Sequence, residues 1–410
     1  MSSVKDRVFE GGLALLWAAA MSGCSTTVLT ASCDRPKVSN SSTPYVYLVM
    51  LPYGYKDSKA SQHESRAAAD ALNDVARLQV VRMGAETTNM HVTLLDESEK
   101  KCNIESVYKE FTATRFFERN LRSTVVFYWG EVYEVDDAVQ VRSHMRTLWK
   151  NPKENLIEVD VRTPDRGTNF RFTGWVPYAT VSFPARKLPV GSRLSEGGEL
   201  RMSLQARATP DAENLAPLPK SFTIQQRKGE WVELQERSTA RSVWVNLNDP
   251  GTYAKAVLPE LSFAHAMSAF ASFGRLPKRD TAEDAITWLN EYRAAYKQAE
   301  LDEELAPSMA IAAIVEAVLL RYRGLRDENR GAADQLIEQA VKALPVNSAV
   351  LNLAAILQID KCCKTKEAMT LIQSRLETAR ILDVGNEIIA RNLLNWYRFL
   401  DTQDEALLPR

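Results

Sequence analysis

Hydrophobic positions follow a mixture of strand-like and helix-like patterns before residue 250 and helix-like patterns after it. Residues 45–52 form a continuous apolar run that is rich in β-branched side chains and ends in a proline, which predicts a buried strand able to pair in parallel. Residues 65–78 carry apolar side chains on one helical face, and residues 78–83 have the composition of a second strand. The order strand, helix, strand predicts a βαβ unit.

Mixed helix and strand patterns continue up to residue 190. The predicted elements are, in order, a helix at 104–120 and strands at 123–133, 135–144, 156–161 and 170–183. We therefore expect a mixed α/β domain over residues 44–190. The pattern leaves open whether the strands between 156 and 183 belong to that domain or to the segment that follows it.

Helical periodicity dominates from residue 254 to residue 405. One predicted helix carries apolar residues spaced three or four apart, namely Ala285, Trp288, Leu289, Tyr292 and Tyr296. Another shows Ala333, Ala340 and Pro345 at a spacing that resembles the second helix and exit turn of a tetratricopeptide repeat. Small residues let paired helices approach closely, and the proline ends a helix so that the next repeat can stack. The resemblance implies a domain of degenerate helical repeats over 254–405.

Two tryptophans mark the segment 200–250, and each follows a turn signal and leads a short alternating strand. Trp231 stands in Gly-Glu-Trp-Val-Glu-Leu and Trp244 in Ser-Val-Trp-Val, after an opening Leu-Gln-Ala-Arg-Ala-Thr-Pro. These motifs resemble those of the bacterial SH3-like domain, although Val243 stands where that family usually has glycine. The resemblance implies a small β-barrel over 200–250, of a type that commonly binds cell-wall peptides or proteins.

The α/β region resembles a group of envelope domains. An apolar strand ending in Leu-Pro, a helix, a strand, a second helix and the run Val-Phe-Tyr-Trp-Gly-Glu-Val-Tyr follow one another over residues 44–185. This order is similar to that of curli-secretion and flagellar-assembly lipoproteins and of the amino-terminal domain of the Tol-system propeller protein. The resemblance implies a module for assembly or docking rather than an enzyme.

The amino-terminal segment resembles a bacterial lipoprotein signal. Basic residues precede a short apolar stretch, far below the roughly 20 residues needed to span a bilayer, and Ser22 and Gly23 lead into Cys24. We expect residues 1–23 to be cleaved and Cys24 to be lipidated, which anchors the chain to the membrane. Ser25 favours the periplasmic face of the outer membrane by analogy with lipoprotein sorting. The alternative is an ordinary secretory signal.

The whole sequence has 45% hydrophobic and 25% charged residues, and we expect the chain after the signal to be a soluble globular protein. Lys and Arg total 51 against 52 Asp and Glu. This balance gives no excess of positive charge to neutralise phosphates, so we do not expect nucleic acid as a partner. Residues 31–44 turn to Ser, Thr, Asn, Lys and Pro without periodicity, which predicts a flexible tether over 24–43.

The other cysteines and the histidines show no metal-ligand spacing. The cysteines are Cys33, Cys102, Cys362 and Cys363, and the histidines are His63, His91, His144 and His265. A disulfide between Cys33 and Cys102 is one expectation in an oxidising compartment, although sequence alone does not bring the two residues within reach. We expect no metal ion and no cofactor.

The sequence lacks the usual motifs of catalysis. It contains no G-x-S-x-G, no Walker G-x-x-x-x-G-K-[ST] and no G-x-G-x-x-G. A Cys/His nucleophile that uses Cys102 would need a positioned base, and no local signature provides one. We therefore expect a protein that is not an enzyme. A catalytic site in the α/β domain, the alternative, would require a cleft with a perturbed cysteine or carboxylate.

These patterns predict a multidomain α+β protein with a mixed α/β domain, a small SH3-like barrel and a helical tetratricopeptide-like domain. We expect a lipid-anchored envelope scaffold that binds envelope proteins through the barrel and the repeats, with Trp231, Trp244 and Tyr253 as candidate contacts. The alternative is that the barrel recognises peptidoglycan while the repeats recruit envelope machinery. The ligand of the barrel separates these two hypotheses, since a fold alone does not assign one.

Overall fold

The structure is a computed structural model of the 410-residue chain. It describes residues 46–55, parts of 68–83, 90–94, 105, 124–135, 138–149, 156–162, 168–188, 206–219, 222–236, 239–246, 258–275, 279–297, 299–322, 330–359 and 365–407. Its architecture is mixed, with strands up to residue 246 and an all-helical region from residue 259 onward. At this level the predicted fold class is confirmed.

The described ranges contain strands that belong to two sheets. In chain order, β1 to β14 are Val46–Met50, Gly54–Tyr55, Met90–Leu94, Thr124–Val135, Ala138–Trp149, Leu156–Arg162, Asn169–Trp175, Thr180–Ser182, Arg186–Leu188, Ala206–Arg207, Leu215–Ala216, Phe222–Lys228, Trp231–Glu236 and Ser242–Asn246. The large sheet has the order β11-β10-β14-β13-β12-β3-β1-β4-β5-β8, and β2 and β9 pair with β4 and β5. Strands β6 and β7 form a separate two-stranded sheet.

Strand β1 lies inside the large sheet, between β3 and β4, and runs parallel to both. Leu48 is in register with Val92 on β3 and with Val126 on β4. All the side chains of β1 are buried, and because they point alternately to the two faces, both faces of the sheet are covered at this strand. The prediction of a buried, parallel first strand is confirmed.

The second parallel strand does not lie where the sequence pattern placed it. Gln79, Val80, Val81 and Met83 are helical, so the strand predicted at 78–83 is wrong. The parallel partner of β1 is instead Met90–Leu94. A short apolar run is compatible with either a strand or a buried helix, and here the helical period of the preceding residues continues through it.

Strands β10 to β14 continue the large sheet in antiparallel order. Strand β12 pairs with β3 through Phe222 and Leu94, and β13, β14 and β10 follow. Val232, Leu234 and Val245 are buried in the common hydrophobic core. The strands expected within 200–250 are present, whereas their closure into an SH3-like barrel stays a prediction.

The helical region follows the last strand. Its described helices, α1 to α7, are Pro259–Arg275, Arg279–Ala295, Ala306–Tyr322, Arg330–Ala343, Ser348–Ile359, Lys366–Leu382 and Glu387–Leu407. Helix α1 packs against β1, β3, β4 and β5, and α2 buries Trp288, Leu289 and Tyr292 on the face that their spacing predicted. Within the described ranges, none of the helices is both long and apolar enough to cross a membrane. The tetratricopeptide arrangement stays a prediction.

A buried ion pair joins the helices to the sheet. Glu260, in the first turn of α1, is 1% exposed and lies 2.7 Å from Arg186 Nε through Oε1. Arg186 Nη2 also donates a hydrogen bond of 3.1 Å to Oε2. The Tyr296 hydroxyl donates to the same carboxylate, and burial together with the Glu260 charge raises the pKa of Tyr296, so this hydroxyl keeps its proton. Removing one partner would leave a buried charge uncompensated.

Tyr53 packs directly over Gly130 on β4. The Tyr53 ring is completely buried, and its hydroxyl lies 2.6 Å from the Tyr128 hydroxyl and 2.9 Å from Ser143 Oγ. A Cβ at Gly130 would lie 2.0 Å from Tyr53 Cε1. The glycine is therefore required for close approach of the ring to the strand.

The β6–β7 hairpin answers the question that the sequence left open. It pairs with neither β5 nor the strands after residue 200, but packs against helices α5 and α7. Strand β8, by contrast, pairs with β5 at the edge of the large sheet. The strands between 156 and 183 are thus divided between a hairpin on the helical region and the α/β sheet.

Gly130→Ala is expected to destabilise the protein. The added methyl group would collide with the buried Tyr53 ring, and overpacking of this kind costs about 1–3 kcal/mol. Gly54→Ala is the matched control, because no atom lies within 4 Å of a Cβ there. Urea denaturation followed by circular dichroism measures both variants. Equal midpoints for the two would contradict the proposed close packing.

His265 should make the fold sensitive to acid. Burial lowers the pKa of His265 to about 3, whereas an unfolded histidine has a pKa of about 6.5. The unfolded chain therefore binds the extra proton below pH 6.5, and stability falls by about 1.4 kcal/mol per pH unit as the pH drops from 6 towards 4. His265→Asn should flatten this dependence in urea titrations at several pH values. An unchanged slope would disprove the contribution of His265.

Candidate functional site

The structure describes only two of the candidate site residues predicted from the sequence. Cys24, Cys33, Cys102 and Tyr253 lie outside the described residues, so the lipidation, disulfide and Tyr253 contact stay predictions. Trp231 is the first residue of β13, and Trp244 is in the middle of β14. The candidate site is therefore built around these tryptophans.

Pairing of β13 with β14 places both tryptophans on one face of the sheet. Trp231 is in register with Asn246, which is two residues from Trp244 on β14. Side chains two residues apart on a strand point the same way, so the two indoles share a face. Val232, Val243 and Val245 point to the opposite face and are buried in the core. The strand alternation therefore separates a packed face from a face that carries the tryptophans.

A row of side chains crosses this face over five strands. The register pairs Leu215 with Arg207, Arg207 with Trp244, Trp244 with Glu233 and Glu233 with Gln226. A second row pairs Trp231 with Lys228. We call this surface the tryptophan face, and its members are Arg207, Leu215, Gln226, Lys228, Trp231, Glu233 and Trp244.

One cationic side chain lies over the ring of each indole of the tryptophan face. The Arg207 guanidinium lies 5.4 Å from the centroid of the Trp231 ring, and Lys228 Nζ lies 5.3 Å from that of Trp244. Both distances are within the range of cation–π attraction, about 6 Å. Arg207 Nη1 also donates to the Ala212 carbonyl at 3.2 Å, which helps to fix the guanidinium. The cations are thus held beside aromatic surface.

The two indoles differ in exposure. Trp244 is only 7% exposed, whereas Trp231 is half-buried at the start of its strand. Leu215, at the end of the row, is 56% exposed. The Trp244 indole is therefore packed within the protein and has little surface to offer. Trp231 and Leu215 offer apolar surface to a ligand.

The charges of the tryptophan face favour an anionic ligand. Arg207 and Lys228 carry two positive charges, and the single carboxylate, that of Glu233, accepts a hydrogen bond of 2.6 Å from Gln226 Nε2. An arginine fork binds carboxylates with two donors, and an indole supplies flat apolar surface. The arrangement can therefore bind a chain that carries carboxylates next to apolar groups.

Sequence reasoning missed most of this site. It identified Trp231 and Trp244, and it included Arg207 only as part of the opening Leu-Gln-Ala-Arg-Ala-Thr-Pro of the SH3-like motif. It did not single out Lys228, Glu233 or Leu215, because their alignment depends on register between strands whose paired residues are up to 39 positions apart in the chain. The available signal was the alternation of polar and apolar residues along β13. This alternation shows which residues of that strand share a face, but not which residues of other strands lie beside them.

No described group of three or more His, Cys, Asp or Glu side chains is placed to hold a metal ion. Comparison with protein families, with curated proteins and with solved structures gave no match. Any function is therefore inferred from the chemistry of the chain itself. The tryptophan face combines the two candidate contact residues, Trp231 and Trp244, with the charged side chains of Arg207 and Lys228.

The two tryptophans should differ in their effect on stability. Trp244→Ala removes a buried indole and is expected to cost about 3 kcal/mol. Trp231→Ala removes a half-buried side chain and should cost about 1 kcal/mol, which leaves the chain folded. Urea denaturation of the two variants tests this difference. A larger loss for Trp231→Ala would place that residue in the core instead.

Proposed function

We propose that this protein is a non-enzymatic, lipid-anchored adaptor of the cell envelope that holds protein partners near the outer membrane. The observation that supports this most is the tryptophan face, in which Trp231 and Leu215 offer apolar surface beside Arg207 and Lys228. Tryptophan and arginine are enriched at the energetic centres of protein interfaces. The partner that suits this face is an extended acidic segment with apolar side chains.

The predicted anchor at Cys24 contributes to the same function. A lipid anchor confines the search for a partner to a surface, and several weak binding modules on one chain raise one another's effective concentration. We include in the proposal that strands β10 to β14 form an SH3-like unit and that helices α1 to α7 are degenerate tetratricopeptide-like repeats. Both are fold types that present binding surfaces, and neither requires a catalytic centre.

The alternative is that the tryptophan face recognises peptidoglycan. Stem peptides of the cell wall carry free carboxylates, and Arg207 and Lys228 provide two cations beside the indoles. In this alternative, the helical region recruits enzymes or secretion machinery to the wall. The two hypotheses share one surface and differ in its ligand.

Photo-cross-linking in cells tests the proposal on the full chain. A photoreactive residue at Leu215, 56% exposed on the face, should capture discrete protein partners, whereas one at the exposed Ser374 on α6 should not. Lys228→Glu should reduce the captured partner at least fivefold, because it reverses one of the two charges. The matched control Lys366→Glu, also exposed but on α6, should leave capture unchanged.

Co-sedimentation with purified sacculi separates the two ligands. Under the adaptor proposal the full chain stays in the supernatant at micromolar concentration. Pelleting that Lys228→Glu abolishes and Lys366→Glu preserves would instead establish wall recognition. Equal capture from Leu215 and Ser374, together with no pelleting, would mean that the tryptophan face is not a binding site.

A further inference from the structure

An exposed acidic segment lies between helices α2 and α3. It spans residues 299–304, all of them exposed, with the sequence Ala-Glu-Leu-Asp-Glu-Glu. Four of these six residues carry carboxylates, and the one large apolar side chain among them, Leu301, is 48% exposed. We call residues 299–304 the acidic loop. Its chemistry suits the tryptophan face, because it places carboxylates next to an apolar group.

Contacts at its carboxyl-terminal end hold the acidic loop in place. Glu304 forms an ion pair with Arg142 on β5. Asp302 Oδ1 accepts a hydrogen bond of 2.7 Å from the N–H of Leu305, and Leu305 is itself buried. Two of the carboxylates therefore fix the loop to its own chain. A surface that is ordered before binding loses less entropy when a partner binds.

The acidic loop and the tryptophan face of one chain are too far apart to meet. Glu304 is bound to β5, whereas Trp231 is on β13, five strand positions away in the large sheet. Neighbouring strands are about 4.8 Å apart, so about 24 Å of sheet separates the two surfaces. The acidic loop can therefore reach a tryptophan face only on a second copy of the chain.

The two surfaces are complementary in charge and in apolar character. The tryptophan face places the cations of Arg207 and Lys228 beside the indoles. The acidic loop offers the exposed carboxylates of Glu300 and Glu303, with Leu301 between them in the sequence. Opposite charges guide two surfaces together and fix their orientation, and the apolar side chain adds area that is removed from water.

We infer that the tryptophan face of one copy binds the acidic loop of a second copy, so that copies of this chain associate head to tail. This association rests on the proposed function, since the tryptophan face must be a binding surface. The contact joins two different surfaces and leaves one of each unused at the ends, so it extends into a ring or a row of copies. The predicted anchor would hold the copies on one membrane, where a weak contact suffices.

Photo-cross-linking in cells tests this association on the full chain. A photoreactive residue at Leu301, 48% exposed on the acidic loop, should capture a second copy, detected as a cross-linked dimer of two differently tagged chains. Mass spectrometry should place the cross-link on strands β10 to β14 of the second chain. A photoreactive residue at Ser374, exposed on α6, should capture no second copy.

Charge reversal on either surface should weaken the association. Lys228→Glu or Glu303→Lys, present in every copy, should lower capture of the dimer from Leu301 at least fivefold, because each change brings like charges together. The matched controls are Lys366→Glu and Glu367→Lys, both exposed at the start of α6. These controls should leave capture unchanged, and an equal loss in them would contradict a contact between the two surfaces.

Co-expression of the two variants separates head-to-tail association from a general loss of folding. The Lys228→Glu chain keeps its acidic loop, and the Glu303→Lys chain keeps its tryptophan face. With the photoreactive residue at Leu301 of the Lys228→Glu chain, the mixed pair should regain the cross-linked dimer that neither variant forms alone. Failure to regain it, or cross-links from Leu301 that lie outside β10 to β14, would overturn the inference.

The results at Leu215 and Leu301 together distinguish this association from the adaptor proposal. Capture of other proteins from Leu215, with no second copy captured from Leu301, would overturn the association and leave the adaptor proposal in place. A second copy as the sole protein captured from Leu215 would support the association and contradict a role in holding other proteins. Absence of captured protein at both positions would overturn both.

Discussion

Complete burial of strand β1 is the constraint on which the rest of the structure depends. Its side chains point to both faces of the sheet and all of them are buried. Because β3 and β4 already pair with its two edges, the cover over its faces must come from elements outside the sheet. Helix α1 supplies cover by packing on the central strands. Apolar burial drives this arrangement, but the geometry of the joint is set by polar contacts such as that of Glu260 with Arg186.

The helical region contacts the strands in two chemically different ways. At α1 the contact is a buried ion pair, in which the Glu260 carboxylate accepts hydrogen bonds from Arg186 and Tyr296. At α5 and α7 the contact is a set of neutral amides that bind a strand edge. An ion pair that loses one partner leaves a buried charge, whereas an amide can exchange one backbone for another without changing charge.

The tryptophan face is the surface through which the proposed adaptor would bind. The face presents cationic side chains beside apolar surface, so under the proposed function it would select a partner by charge and by apolar contact.

The sequence by itself determined the buried strand at 46–50, most of the later strands and the helical region, because these depend on hydrophobic periodicity within one segment. It failed at 78–83, where a short apolar run suits a strand and a helix equally and only packing decides. It named Trp231 and Trp244 but not Arg207, Lys228 or Leu215 as their neighbours. Register between strands and the docking of β7 on α7 join residues up to 224 positions apart. Only the tertiary structure fixes such pairs, since no local pattern encodes which distant backbone an asparagine will meet.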